Sequence, residues 1–156
     1  MEQMTVTAAQ MKALERAADE AGLTYRQMME NAGCRAFESI CRRCPGARTA
    51  VVFAGKGNNG GDGFVVARLL AAARVRVRVI LCEGAPVTDD AIANFSCLAD
   101  VEIWPLDEVS VMQEAELLSC DVGIDALYGT GFHGALRPNG LRAADMMNRA
   151  GGAVCA

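Results

Sequence analysis

Histidine occurs once in this chain, at His133, so a metal centre built on several imidazoles is excluded. The lone C-x-x-C, Cys41-Arg42-Arg43-Cys44, has no second pair, and a closed zinc site needs about four ligands. Zinc is set aside. The seven cysteines are an odd number spread along the chain, which fits free thiols in a reducing compartment better than a disulfide framework. No uninterrupted apolar run approaches the roughly 20 residues that span a bilayer. Residues 1–4 are polar and acidic, so neither a signal nor a transit peptide is evident, and a cytoplasmic location is expected. Blocks of like charge are missing too: the net charge is −4 with both signs interspersed, which argues against nucleic acid and membrane surfaces as partners. There is no internal repeat, linker or low-complexity segment. What is present is 156 residues, 52% hydrophobic and 22% charged, enough for one globular domain with a real core.

Two capping boxes open the chain. Thr7 with Gln10 starts a helix carrying Met11, Leu14, Ala18 and Ala21 on one face, and Gly22 stops it. Thr24 with Gln27 starts a second helix, with Met28, Met29, Ala32, Ala36, Phe37, Ile40 and Cys41 facing inward, ended by Pro45-Gly46. Glu30 and Asn31 on this helix read either as solvated polar positions, as ligand contacts, or as residues that hold the second helix against the sheet. Residues 49–54 form a buried strand, and 64–73 form a helix. The stretch 75–81 alternates and then turns apolar, so its start faces solvent or an acidic neighbour. Thr88 caps a helix with Asp89 and Asp90 in its first turn and Ala91, Ile92, Phe95 and Leu98 on its apolar face. A short strand, 101–104, closes at Pro105. A helix over 111–118 carries Val111, Ala115 and Leu118. Residues 121–127 form a strand with Asp125 near its C-terminal end. Pro138-Asn139-Gly140 leads into a helix through Met146, Met147 and Asn148, and 152–156 begins one more buried strand.

Alternating strands and helices imply an α/β fold: a Rossmann-like three-layer α/β/α sandwich on a mostly parallel sheet, with ligands at the strands' C-terminal ends. Two glycine-rich stretches follow strands and should open on that same edge. The first is Gly55-Lys56-Gly57-Asn58-Asn59-Gly60-Gly61-Asp62-Gly63, read as a turn before the helix at 64–73. Glycine allows sharp turns and close ligand approach, and the first N–H groups of the helix favour an anion. The second is Tyr128-Gly129-Thr130-Gly131-Phe132-His133-Gly134-Ala135. With Asp125 opposite the first stretch, the architecture predicts one composite pocket.

A P-loop is ruled out, because Gly61 and Asp62 stand where G-x-x-x-x-G-K-[S/T] requires Lys and a hydroxyl residue. Gly55-x-Gly57-x-x-Gly60 does match the dinucleotide fingerprint, with Glu83 ending the next strand where a ribose-binding acid belongs, so an NAD-binding oxidoreductase is one alternative. Against it, two helices precede the first strand, and the polar run continues past the fingerprint. His133 reads as an incidental loop residue and Lys56 as either a phosphate partner or a solvated turn lysine. Met28 and Met29 read as core.

The full run Gly-x-Gly-Asn-Asn-Gly-Gly-Asp-Gly followed by Val66-Ala67-Arg68-x-Leu70 closely resembles the signature of the YjeF N-terminal domain family, the NAD(P)H-hydrate epimerases. Thr7-Ala8-x-Gln10-Met11, Met29-Glu30-Asn31-Ala32-Gly33 and Asp125-Ala126-Leu127-Tyr128-Gly129-Thr130-Gly131 resemble further motifs of that family, in order along most of the chain. The resemblance implies an isomerase that interconverts the R and S forms of hydrated NADH and NADPH at C6, in nicotinamide nucleotide repair. It implies that Asn58, Asn59, Gly60, Gly61 and Asp62 bind substrate, and that Gly129, Thr130, Gly131, Phe132, His133, Gly134 and Ala135 complete its phosphate-facing wall. It implies a potassium ion held by Asn59 and Asp125. Amide and carboxylate oxygens suit a hard cation, and glycine turns suit a diphosphate. Expected partners are the small-molecule substrate, a fused or separate dehydratase, and a second copy of the chain in a homodimer. The family continues into a strand ending in Asp-x-Pro-Ser-Gly, whose Asp is the acid–base candidate; here the chain stops at Ala156. The expectation is therefore a C-terminally incomplete domain over 1–156 with little turnover of its own and no catalytic residue assigned. Domains resembling this one also serve as non-catalytic scaffold or binding modules, and the presence of Asn59, Asp62 and Asp125 favours the catalytic lineage.

Overall fold

The computed structural model describes residues 5–156, so the polar residues 1–4 read above lie outside the described residues. Strands β1 (Thr49–Ala54), β2 (Arg76–Leu81), β3 (Glu102–Pro105), β4 (Val122–Ala126) and β5 (Ala153–Cys155) form an all-parallel sheet in the order β3-β2-β1-β4-β5. Helices α1 (Ala8–Glu20) and α2 (Tyr25–Arg43) precede it. The helices α3 (Asn58–Ala72), α4 (Asp89–Ser96), α5 (Val111–Leu118) and α6 (Pro138–Arg149) carry the crossovers.

β1 is central, and its alternation builds both faces. Ala50, Val52 and Ala54 meet Ile40 of α2, Phe64 and Leu70 of α3, and Ala91 of α4 on one side. Val51 and Phe53 meet Leu117 of α5 with Ala143, Met146 and Met147 of α6 on the other. A strand buried on both faces must read as a continuous apolar run, as this one does. Full burial of Phe53 and Phe64 contributes about 1.5–3 kcal/mol each. The expected three-layer α/β/α architecture is what the chain forms. Among the described residues, no helix is long and apolar enough to cross a membrane.

Both expected capping boxes form, and Ser110 with Gln113 supplies a third. Thr88 occupies the N-cap of α4, but its hydroxyl makes no capping bond and is buried without a partner. Several expected inward faces are corrected. On α1, Met11 and Leu14 are exposed, Leu14 by 55%. On α2, Met29, Gly33 and Ile40 turn inward while Ala32, Ala36 and Cys41 are exposed. On α4, Ile92 is exposed and Asn94 is buried, its amide donating to the Asp90 carbonyl (3.1 Å). On α5, Val111 is 87% exposed and Leu117 points into the core. Val111 and Met112 stand in solvent, so what packs on α5, not its apolar spacing, decides which face is buried. Arg78 in β2 is only 9% exposed and donates to Glu102 (3.0 Å) and Glu116 (2.5 Å), the acidic neighbours expected of that strand.

Candidate functional site

Chain connections leave β1 and β4 in opposite directions along the sheet, so a crevice opens between their C-terminal ends, where open α/β sheets take ligands. The register places Phe53 beside Asp125 and Ala54 beside Ala126. Just beyond, Gly55 N–H donates to the Ala126 carbonyl (3.0 Å). A Cβ at Gly55 would fall on the Leu127 carbonyl, so glycine lets the two loops touch main chain to main chain.

The first glycine run is not the long turn that the sequence suggested. α3 begins at Asn58, so residues 58–63 are its first turns and the turn proper is 55–57. The reason is packing. A Cβ at Gly60 would strike the Gly55 carbonyl, at Gly61 it would lie 2.6 Å from the Met29 sulfur, and at Gly63 it would lie 2.5 Å from Ala126 Cβ. Close approach, not a turn, requires these three glycines, and the tertiary contacts hold a helix that glycine propensity opposes. Gly57 caps α3 without a side chain, so the first N–H groups of the helix stay open to an anion.

A cavity of about 420 Å³ is lined by Asn59, Asp62, Gly63, Asp125 and Ala126, with Ala32 and Ala36 of α2 opposite. One oxygen of Asp125 accepts the Leu127 N–H (3.0 Å), which fixes the carboxylate at the strand end. Burial pushes the Asp62 carboxyl up to about 6 from its ordinary 3.8, with the charge of Glu15 adding to the effect. Gly129 sits against Asn59: a Cβ there would stand 3.5 Å from Asn59 Cβ. The fold thus brings together Asn59, Asp62, Asp125 and Gly129.

Other expected site residues are placed differently. Asn58 lines a neighbouring cavity of about 150 Å³ with Glu15 and Asp90, and Asp62 forms the wall between the two. Gly60 and Gly61 are buried and contribute only backbone. Thr130, Gly131, Phe132, His133, Gly134 and Ala135 are exposed and do not line the cavity. Of the readings open for Glu30, the structure favours a helix-holding one: it ion-pairs with Arg68 (2.6 Å) and ties α2 to α3, while Asn31 is exposed. Glu83, which a dinucleotide-binding reading puts on a ribose, accepts the Tyr128 hydroxyl (2.7 Å) instead. The sequence flagged Glu83 but carried no sign of this partner. Among the described residues, no group of three or more His, Cys, Asp or Glu side chains is gathered for a metal. The oxygen donors that line the crevice include the Asn59 amide and the Asp125 and Asp62 carboxyls, a hard set in which Asn59 and Asp125 suit a monovalent or other hard cation.

A profile of the family described as YjeF-related protein N-terminus matches residues 25–156. The chain is 41% identical over 156 residues to the bifunctional NAD(P)H-hydrate repair enzyme Nnr of Moorella thermoacetica, an alignment covering 93% of the chain and 29% of that protein. It is 36% identical to the NAD(P)H-hydrate epimerase of Cenarchaeum symbiosum, covering 93% of the chain and 68% of that protein. The chain spans under a third of the length of the bifunctional relatives. Its fold matches the crystal structure of the yeast protein YNL200c with a TM-score of 0.82 at 23% identity, covering 95% of the chain and 66% of that structure.

Proposed function

The chain belongs to the family of YjeF-related protein N-termini, and on that premise we propose that it is an NAD(P)H-hydrate epimerase module. The observation that carries the reading is the convergence of Asn59, Asp62 and Asp125 on one cavity at the β1/β4 switch. A dinucleotide needs three things there: an anion cradle, polar groups for its sugars and reacting ring, and a shaped wall. The open N–H groups at the start of α3 and the glycine-rich loop 129–135 serve the diphosphate. Asn59 and Asp62 supply the polar groups. Near neutrality a carboxyl of pKa about 6 both accepts from and donates to a substrate hydroxyl, and Asp62 has that character.

In this reading, inversion at a ring carbon bearing a hydroxyl beside nitrogen runs by breaking the C–O bond. The hydroxyl takes a proton from a site acid such as Asp62 to leave as water, and the ring nitrogen's lone pair forms a planar iminium. Water then adds to the opposite face and gives the proton back to that carboxylate. The site must therefore hold the ring still through a planar cationic stage. A potassium ion fits the Asn59 and Asp125 oxygens, and when bound it would polarise substrate oxygens and organise the crevice floor. The same reading places the module in the cytoplasm, beside a fused or separate dehydratase, and allows a homodimer.

The test is calorimetric titration of the chain with hydrated NADPH, with potassium and with choline in its place. Potassium-dependent binding is expected, and Asp125→Ala should weaken it by about tenfold, roughly 1.4 kcal/mol, or more. Binding of plain NAD with hydride transfer overturns the epimerase reading, and failure to bind either nucleotide overturns both.

A further inference from the structure

The loop 129–135 is exposed along its length, yet it begins on a residue that is tied down on three sides. The Tyr128 hydroxyl donates to Glu83 Oε1 (2.7 Å), a contact between the end of β4 and the end of β2. The Tyr128 ring stacks on Phe132, with centroids 4.1 Å apart and planes inclined by 29°. Gly140 in the first turn of α6 gives the ring its room, because a Cβ there would fall on the Tyr128 hydroxyl. Within the loop, Phe132 N–H donates to the Gly129 carbonyl (3.0 Å), so the stacked Phe132 and the Asn59-facing Gly129 are joined. Phe132 remains 37% exposed; its contact with Tyr128 is what anchors an otherwise solvated segment.

We propose that Tyr128 is a positioning residue for the substrate-facing loop. Its hydroxyl on Glu83 and its ring under Phe132 fix residues 129–135 beside Asn59. The inference rests on the epimerase reading for its substrate and on geometry alone for the tie. A phenol donating to a carboxylate is a charge-assisted hydrogen bond in a half-buried setting, stronger than a neutral one. The donor also keeps its proton at working pH, since burial and the Glu83 carboxylate push the phenol up to about 12. Ordering the loop before substrate arrives removes an entropic cost from binding.

The experiment combines chymotryptic cleavage after Phe132, mapped by mass, with calorimetric Kd for hydrated NADPH. Variants are Tyr128→Phe, Tyr128→Leu, Glu83→Ala and Glu83→Gln, each checked for native circular dichroism. Tyr128→Leu loses stack and hydrogen bond, and should be cut about tenfold faster with Kd weakened about tenfold. Tyr128→Phe and Glu83→Ala should fall between it and wild type. Glu83→Gln keeps an acceptor but loses its charge, so it should lie between wild type and Glu83→Ala, an order that a general destabilisation would not produce. Cleavage unchanged in Tyr128→Leu and Tyr128→Phe overturns the tie. Faster cleavage with unchanged Kd overturns its role in binding. If wild type binds no hydrated nucleotide, the functional reading and the substrate half of the proposal fail together, while the cleavage rates still decide the tie.

Discussion

Cys82 and Cys41 carry the same side chain in opposite surroundings. Cys82 lies buried at the end of β2, and desolvation, with the charges of Asp125 and Glu83 adding, pushes its thiol up to about 12. At pH 8 only about one such thiol in ten thousand is ionised, and the thiolate is the nucleophile. Cys41 and Cys97 are exposed. Iodoacetamide at pH 8 should therefore modify Cys41 and Cys97 first and leave Cys82 untouched until the protein unfolds, as peptide mass mapping would show. Alkylation of Cys82 in the native protein at the rate of Cys97 would contradict its placement. At this scale the site was legible wherever residue type carried the chemistry. Asn59 and Asp62 flank glycines and Asp125 lies near a strand end, and the fold collects the three in one cavity; Asn58 and Thr130 also flank glycines and lie outside it. Partnerships across the sheet were not legible. Nothing near Glu83 in sequence points to Tyr128, and nothing near Glu30 points to Arg68, because both pairings are set by how elements pack.

At the level of elements, the chain's stop signals differ in quality. α1 ends with Gly22 at φ +99°, the left-handed position that glycine adopts freely, and the Leu23 N–H reaches back to the Ala18 carbonyl (2.9 Å). α3 ends with the same device, Val75 N–H to the Leu70 carbonyl (3.0 Å), but with Arg74 in the left-handed position at φ 67°. An L-residue with a Cβ is strained there, and the exposed Arg74 side chain offers nothing in return. Arg74→Gly should raise stability by about 0.5–1 kcal/mol, the strain relieved less the added freedom of glycine in the unfolded chain. Urea midpoints for the two proteins at constant slope would measure it; a lower midpoint in the variant would contradict the argument. Strand and helix alternation and two of the capping boxes were readable because local hydrogen bonding dictates them. The start of α3 was not. Six residues that include three glycines read locally as a turn, and only neighbours pressing on Gly60, Gly61 and Gly63 make them a helix. The exposed faces of α1 and α5 misled for the complementary reason, since apolar spacing shows which face is able to be buried and not whether anything packs on it.

For the whole molecule, the carboxylates divide into two groups with opposite effects on stability against pH. Glu114 is held below its ordinary value by hydrogen bonds from Arg149 and Arg142, and Asp121 by the Arg48 N–H and by Thr49. A carboxyl with a depressed folded pKa stabilises the fold above its unfolded value, and that contribution disappears as pH falls through the folded value. These groups tie α5 to α6 and β4 to β1, so strong acid should loosen the layer carrying α5 and α6 and the start of the central strands. Asp62 works the other way. Its folded carboxyl titrates at about 6 against an ordinary 3.8, so the native state binds the proton more tightly than the unfolded chain does. Its contribution to stability therefore grows as pH falls through 6 toward 3.8, and at neutrality the charged carboxylate is a liability tolerated by the site. In potassium-free buffer, the wild-type urea midpoint should rise between pH 8 and pH 5 and fall at still lower pH. Asp62→Asn should be more stable than wild type at pH 8 and should lose the rise between pH 8 and pH 5, while keeping the acid-side fall that belongs to Glu114 and Asp121. Parallel curves for the two proteins across pH 8 to 5 would mean that Asp62 is solvated as an ordinary carboxylate, and that the wall between the two cavities is more open to water than its burial implies.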